Sequence, residues 1–206
     1  MLYVGLTGNI ASGKTEVTRR LASLGATIVD ADELARRVVA KGAPGYSRVV
    51  ERWGSEILAP DGSLDREALR HTVFADKGEL DELNAILHPL ITGLRNEMVQ
   101  EARDRGDGVL VYAVPLLFER QLAEEFDRII LVDAPADLRF ERLVANRGVS
   151  AEDAGNMIAS QMPAELKRAR ADFVIENGGS LQDLYEQIDT VWVRLTAIGA
   201  RSSLAG

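Results

Sequence analysis

Eight residues near the amino terminus, Gly8-Asn9-Ile10-Ala11-Ser12-Gly13-Lys14-Thr15, constrain this chain more than any other stretch. They fit G-x-x-x-x-G-K-[ST], and each part of the pattern has a physical task. The glycines let the backbone curl so that successive amide N–H groups point at phosphate oxygens. A helix starting at the loop's end presents its unpaired N–H groups and its positive dipole end to the same anion. Lys14 reaches the β- and γ-phosphates, and the Thr15 hydroxyl is placed to ligate Mg²⁺. The pattern alone is permissive. Here an apolar strand precedes it and an amphipathic helix with Val17, Leu21 and Leu24 on one face follows it, ended by Gly25 as a left-handed cap would. The setting implies a bound nucleoside triphosphate, with residues 8–15 and the adjoining Glu16 as its contact set.

The rest of the chain narrows this. It has 206 residues, 46% of them apolar and 27% charged, as expected of one globular domain able to bury its own core. There is no cysteine, which excludes disulfides, zinc–thiolate sites and thiol nucleophiles. The net charge of −8 argues against a protein whose main partner is a nucleic acid. No apolar run approaches the ~20 residues needed to span a bilayer, and no leader is evident, so a cytoplasmic location without a membrane partner is expected. Nothing marks an interface, and a monomer is the default.

Strands and helices alternate, which predicts a three-layer α/β/α fold around a five-stranded parallel sheet. Strands are expected at residues 2–7, 27–30, 108–114, 128–133 and 172–175. Between the second and third, residues 41–107 lose the strand rhythm and read as a helical insertion. Within it, residues 59–62 form a turn, Leu64 and Leu69 flank Asp65 as a hydrophobic staple around an N-cap, and a helix is expected to begin at His88-Pro89 and run to about Arg105. A helix is predicted over residues 136–146 and a polar, helical lid over about 146–170. A last helix starts at Ser180, with Leu181, Leu184, Ile188, Val191 and Leu195 on its buried face. Residues after Gly199 read as a frayed tail.

Guanine-specific switch proteins carry D-x-x-G and [NT]-K-x-D; neither occurs here, which favours ATP. Asp133, ending an apolar strand, superficially matches a magnesium-binding carboxylate, although a turn into the next helix is the better account of it. Asp30-Ala31-Asp32 follows the second strand directly. A carboxylate there can accept the proton of an attacking hydroxyl, and Asp32 is the better candidate; its alternative role is to N-cap the helix that follows.

Taken together these residues resemble the dephospho-CoA kinases, over nearly the whole chain. The resemblance rests on residues 4–15, Val29-Asp30-Ala31-Asp32 with Ala35-Arg36, Leu64-Asp65-Arg66, Leu69-Arg70, Val73-Phe74, Leu83-Asn84 and Leu87-His88-Pro89-Leu90-Ile91. It continues through Val114-Pro115-Leu116-Leu117-Phe118-Glu119, Gln161, Arg170-Ala171-Asp172 and Val174-Ile175-Glu176-Asn177. It implies a P-loop kinase that uses ATP and Mg²⁺ and phosphorylates the ribose 3′-hydroxyl of dephospho-CoA, the last step of coenzyme A synthesis. It also implies Asp32 as base or orienter, Arg36, His88, Pro89, Leu116, Leu117 and Glu119 beside the acceptor, and Asn177 near the adenine. The lid departs from the family pattern: Arg139 stands where glutamine is common, and Asn146 where an arginine is usual. Either Arg147 takes over that arginine's work from the next position, or Arg142 carries more of it. A kinase for another small acceptor, and a nucleotide-driven regulatory module, are the competing readings.

Overall fold

The computed structural model describes residues 1–204, and the chain divides into two compact units. The first comprises Met1–Val29 and the chain from Ala102 onward; the second is Asp30–Glu101.

The first unit is built on strands β1 (Leu2–Thr7), β2 (Thr27–Asp30), β3 (Val109–Ala113), β4 (Arg128–Asp133) and β5 (Phe173–Glu176), in the sheet order β2-β3-β1-β4-β5. β1 lies between β3 and β4 and is parallel to both, and β5 is parallel to β4. The apolar runs of β3 and β4 are buried nearly throughout, as strands covered on both faces must be. On one face Val4, Leu6, Val111 and Val132 pack with Val17 and Leu21 of α1 (Lys14–Ser23) and with Leu184, Ile188 and Leu195 of α9 (Leu181–Leu204). On the other, Gly5 leaves room for Leu117 and Phe126; a Cβ there would lie 2.7 Å from Leu117 Cδ1 and 2.8 Å from Phe126 Cδ2. Register aligns Asp133 with Glu176 and Thr7 with Leu131, so the carboxyl ends of β1, β4 and β5 share one edge. Open α/β sheets bind their ligands at that edge.

α1 ends as expected: Gly25 at φ +108 lets Ala26 N–H reach Leu21 O at 3.0 Å and Gly25 N–H reach Ala22 O at 3.0 Å, a Schellman closure. The lid-like stretch holds α6 (Ala136–Arg147), α7 (Ala151–Ala159) and α8 (Ala164–Arg168). Ser180 caps α9 reciprocally with Asp183. Two expectations for α9 are corrected. Leu181 is exposed and does not join the buried face. The helix also continues past Gly199 to Leu204, because Ile198 packs on the core and Gly199 is buried, and that packing outweighs glycine's poor helix propensity.

In the second unit, α2 (Ala31–Val38) and α3 (Pro44–Trp53) precede a turn of 3₁₀ helix, a turn at Ala59 to Gly62, then α4 (Arg66–Ala75) and α5 (Lys77–Arg105), which carries the chain back into the first unit. Asp65 accepts from Glu67 and Ala68 N–H, both at 3.0 Å, and Leu64 and Leu69 join one core with Val49, Ile57 and Val73. The staple read from sequence is therefore real. The helix start at His88-Pro89 is not. α5 is a single helix of 29 residues with Pro89 in its interior. Pro89 cannot donate to Ala85 O, a defect of ~3 kcal/mol in an isolated helix, but Leu80, Leu83, Ile86 and Leu87 ahead of it all pack on the unit's core and hold the helix through it.

Asp65→Ala should cost about 1 kcal/mol of stability through loss of both cap bonds. Urea titration followed by Trp53 fluorescence would measure it; an unchanged midpoint would contradict the capping assignment.

Candidate active site

The loop between β1 and α1 owes its shape to backbone positions that only certain residues accept. Gly8 is packed so closely that a Cβ would sit 2.4 Å from Val132 O. Gly13 lies at φ +96, where a Cβ would meet Asn177 Nδ2 at 2.0 Å. Ala11 is also left-handed, at φ +58, a conformation that costs a non-glycine residue roughly 1–2 kcal/mol. The surroundings hold it there. Ala11 O accepts from Arg142 Nη1 at 3.1 Å, and Ser12 O accepts from Asn177 Nδ2 at 2.7 Å. Lys14 Nζ donates to Gly8 O at 2.9 Å, folding its side chain back across the loop. Asn9 and Ser12 are buried, and Asn9 Oδ1 and Ser12 Oγ have no hydrogen-bond partner among the described residues. Thr15 is exposed in the first turn of α1, and Glu16 accepts from the Tyr185 hydroxyl at 2.5 Å while pairing with Arg19.

Around this loop the ends of β4 and β5 supply fixed supports. Asn177 N–H donates to Asp133 O at 2.7 Å, and Asn177 O accepts from Arg142 Nη2 at 3.1 Å. Asn177 is thus a brace between β5 and the loop as well as the residue before two glycines. Asp133 is buried and paired with Arg168 Nη1 at 2.6 Å, and the same guanidinium pairs with Glu176. The hydrogen bonds it donates to Glu176 and then to Asp133 raise the Arg168 pKa still further, so this cation is permanent. Of the three arginines of α6, Arg139 is buried and donates to Ala134 O at 3.1 Å, Arg142 is half-buried on the loop, and Arg147 is exposed.

Residues 115–119 follow β3. Leu116 is exposed, whereas Leu117 is fully buried over Gly5 and has no surface to offer a ligand. Glu119 turns inward. Its Oε1 pairs with Lys167 Nζ at 2.7 Å, and Lys167 is wholly buried. Met162 N–H donates to the same oxygen at 3.3 Å. Burial alone raises the Glu119 carboxyl, but the Lys167 ammonium and the Met162 N–H outweigh it and hold the group below the ordinary carboxylate range. Lys167 and Arg168 were missed in the sequence. Lys167 is the one buried residue of a five-residue helix, which is too short to show a periodic signal.

The remaining sequence-derived residues belong to the second unit. Asp30, not Asp32, caps α2: its Oδ1 accepts from Asp32 N–H at 2.8 Å and from Glu33 N–H at 3.1 Å. Asp32 is exposed and its carboxylate makes no hydrogen bond or ion pair among the described residues. Arg36, His88 and Pro89 are exposed as well.

A phosphate-cradling loop of this build is common to many nucleotide enzymes. Comparison with known proteins decides among them. The family model for dephospho-CoA kinase matches residues 2–183. The chain belongs to the dephospho-CoA kinase family. It is 43% identical to the dephospho-CoA kinase of Thermobifida fusca, over 95% of this chain and 96% of that protein. It is 45% identical to that of Streptomyces avermitilis, over 95% and 94%. The solved dephospho-CoA kinase of Campylobacter jejuni superposes with a TM-score of 0.72 at 26% identity, covering 95% of this chain and 97% of that one. The three-layer α/β architecture and the kinase class read from sequence therefore stand for this family member.

Glu119→Gln leaves the buried Lys167 ammonium without its counter-charge and should destabilise the fold by about 3 kcal/mol at pH 7. Because the folded-state pKa is depressed, this stabilisation is complete above the unfolded value of ~4.3 and is lost as pH falls through the folded value. The gap between wild type and variant should thus be flat above pH 5.5 and close under acid, in denaturation curves taken across pH.

Proposed function

We propose that this chain transfers the γ-phosphoryl group of ATP to the ribose 3′-hydroxyl of dephospho-CoA, the last step of coenzyme A synthesis. The observation that carries the reading is the family match along residues 2–183, on a chain whose loop already has the form that receives phosphates. The first-turn amides of α1 and the Lys14 ammonium take the β- and γ-phosphates. The O3′–Pγ bond forms as the bond from Pγ to the β,γ-bridging oxygen breaks. ADP leaves, and the hydroxyl proton passes to Asp32. Two facts support Asp32: Asp30 already does the capping, and the Asp32 carboxylate has no competing partner among the described residues.

Magnesium suits the donor set. The described residues hold no group of three His, Cys, Asp or Glu side chains that could ligate a metal, and Mg²⁺ usually takes most of its ligands from phosphates and water. Thr15, exposed at the head of α1, would supply the hydroxyl ligand. When bound, the ion neutralises charge on the β- and γ-oxygens. Arg142 acts by shaping the loop through Ala11 O, whereas the exposed Arg147 is the lid cation available to phosphate. Arg36, His88, Pro89, Leu116 and Glu119 border the acceptor on the family pattern, Glu119 through its support of the lid segment. No nucleic acid partner enters this chemistry, and no helix of the described residues is long and apolar enough to cross a membrane. A cytoplasmic monomer fits this reading.

A coupled ADP-release assay with ATP, Mg²⁺ and a panel of acceptors tests it. Dephospho-CoA should accelerate release strongly; turnover of a nucleoside monophosphate instead would replace the acceptor assignment. Lys14→Ala should lower kcat on the order of a hundredfold or more. Asp32→Asn should abolish transfer while isothermal titration still shows ATP binding; near-normal kcat would reduce Asp32 to a surface residue.

A further inference from the structure

Gln161 lies in the short link between α7 and α8, half-buried, and its carboxamide points at the phosphate loop. Its Oε1 accepts from Ile10 N–H at 2.7 Å. The next residue accepts in the same sense: Met162 O accepts from Asn9 Nδ2 at 3.3 Å. Two neighbouring residues of the link thus bond two neighbouring residues of the loop. The link is itself anchored from behind. Met162 N–H is held by Glu119, Glu119 by the buried Lys167 of α8, and Pro163 starts α8 with a fixed φ of −51.

The loop needs such support. Ala11 is left-handed without being glycine, so the receptive shape is not the one this backbone prefers by itself. Arg142 and Asn177 hold the carbonyls of Ala11 and Ser12. These bonds fix the loop's second half. Its first half, Asn9 and Ile10, is held by residues 161 and 162. The Gln161 bond is the shorter, and it satisfies the Ile10 backbone donor.

We propose that Gln161 is a positioning residue for ATP: by accepting the Ile10 N–H it sets the first half of the phosphate loop in the anion-receiving conformation before nucleotide arrives. The inference rests on the reading that this loop takes the β- and γ-phosphates. Its energetic logic is preorganisation. A loop already shaped forfeits less conformational entropy when phosphate binds. Because the same segment carries the lid helices α7 and α8, movement of the lid would be felt at the loop through this bond.

Gln161→Met keeps the side chain's length and packing and deletes the acceptor. ADP titration calorimetry in Mg²⁺, dephospho-CoA titration and thermal melts on the full chain test the proposal. The variant should bind ADP about tenfold more weakly, the scale of one net hydrogen bond. Dephospho-CoA affinity should stay at the wild-type value, the melting temperature should fall by only about 2–4 °C, the scale of one lost hydrogen bond, and kcat at saturating ATP should change less than KM for ATP. Wild-type ADP affinity in Gln161→Met overturns the proposal. An equal loss for ADP and dephospho-CoA also overturns it, since that is general loosening of the fold. Asn9→Ala, which removes only the companion bond, should weaken ADP less than Gln161→Met; the reverse order would transfer the role to Asn9. If the wild-type chain itself fails to bind ADP, the phosphate-loop reading is what fails.

Discussion

The structure of the first unit turns on one constraint: the short loop after β1 must curl tightly into α1 while the protein holds its Ala11 and Ser12 carbonyls and its Ile10 N–H. Backbone alone does not favour that arrangement, because it requires left-handed geometry at Ala11 and Gly13. Glycine supplies one of those positions. The other is held by side chains converging from α6, from the end of β5 and from the α7–α8 link, through Arg142, Asn177 and Gln161. The close approach of Gly8 to Val132 O ties the loop directly to β4 as well. Strand order makes this convergence available. β1 is central, so the loop that follows it is the one place where residues after β3, β4 and β5 can all meet.

The charged groups behind the loop serve the same end. Lys167 and Glu119 form an ion pair with the ammonium wholly buried, and Arg168 bridges Asp133 and Glu176 across adjacent strand ends. Replaced by apolar residues of similar volume, such a buried pair could leave stability unchanged or improved. What it provides here is geometric uniqueness. Met162 N–H, Lys167 and the Glu119 carboxylate close on one oxygen, so the link has a single seat, and the two bonds from link to loop inherit that precision. Arg168 likewise occupies the Asp133 carboxylate, which is why this strand-end aspartate, tempting in sequence as a metal ligand, is engaged with a guanidinium.

What could be read in the sequence were features encoded locally: the loop between an apolar strand and an amphipathic helix, the Schellman glycine at Gly25, the staple about Asp65, and the strands whose burial on both faces makes them continuously apolar. Three features were not legible, and each depends on tertiary packing. Pro89 reads as a helix start because proline favours the first turn, yet four apolar residues ahead of it pack on a core that carries the helix through. Gly199 reads as an end because glycine is a poor helix former, yet it is buried and its neighbour Ile198 packs on the core, which carries the helix onward. Lys167 reads as surface because lysine almost always is, and only the turn at residues 115–119 brings Glu119 under it. Asp30 and Asp32 show the finer limit. Two carboxylates spaced by one residue at a helix start compete for the cap, and the choice depends on which one leaves the strand with extended geometry, φ −109 and ψ 121 at Asp30.

Electrostatics raises a last question: how a chain of net charge −8 receives a polyanion. Most cations near the loop are already committed, Arg142 to backbone carbonyls, Lys167 to Glu119 and Arg168 to two carboxylates. On the proposed reading attraction comes from oriented N–H dipoles and the α1 amino end, together with the Lys14 ammonium, which donates to Gly8 O, and the exposed Arg147. Dipoles act over a few ångströms, and at physiological salt the surface carboxylates are screened beyond ~8 Å. The overall charge and the local affinity are then nearly independent. It follows that the surface may be acidic without penalty to phosphate binding, provided that the loop's amides are aimed correctly in advance. On the proposed reading the loop's shape matters beside its charge, and Arg142, Asn177 and Gln161 bear on binding by bracing that shape.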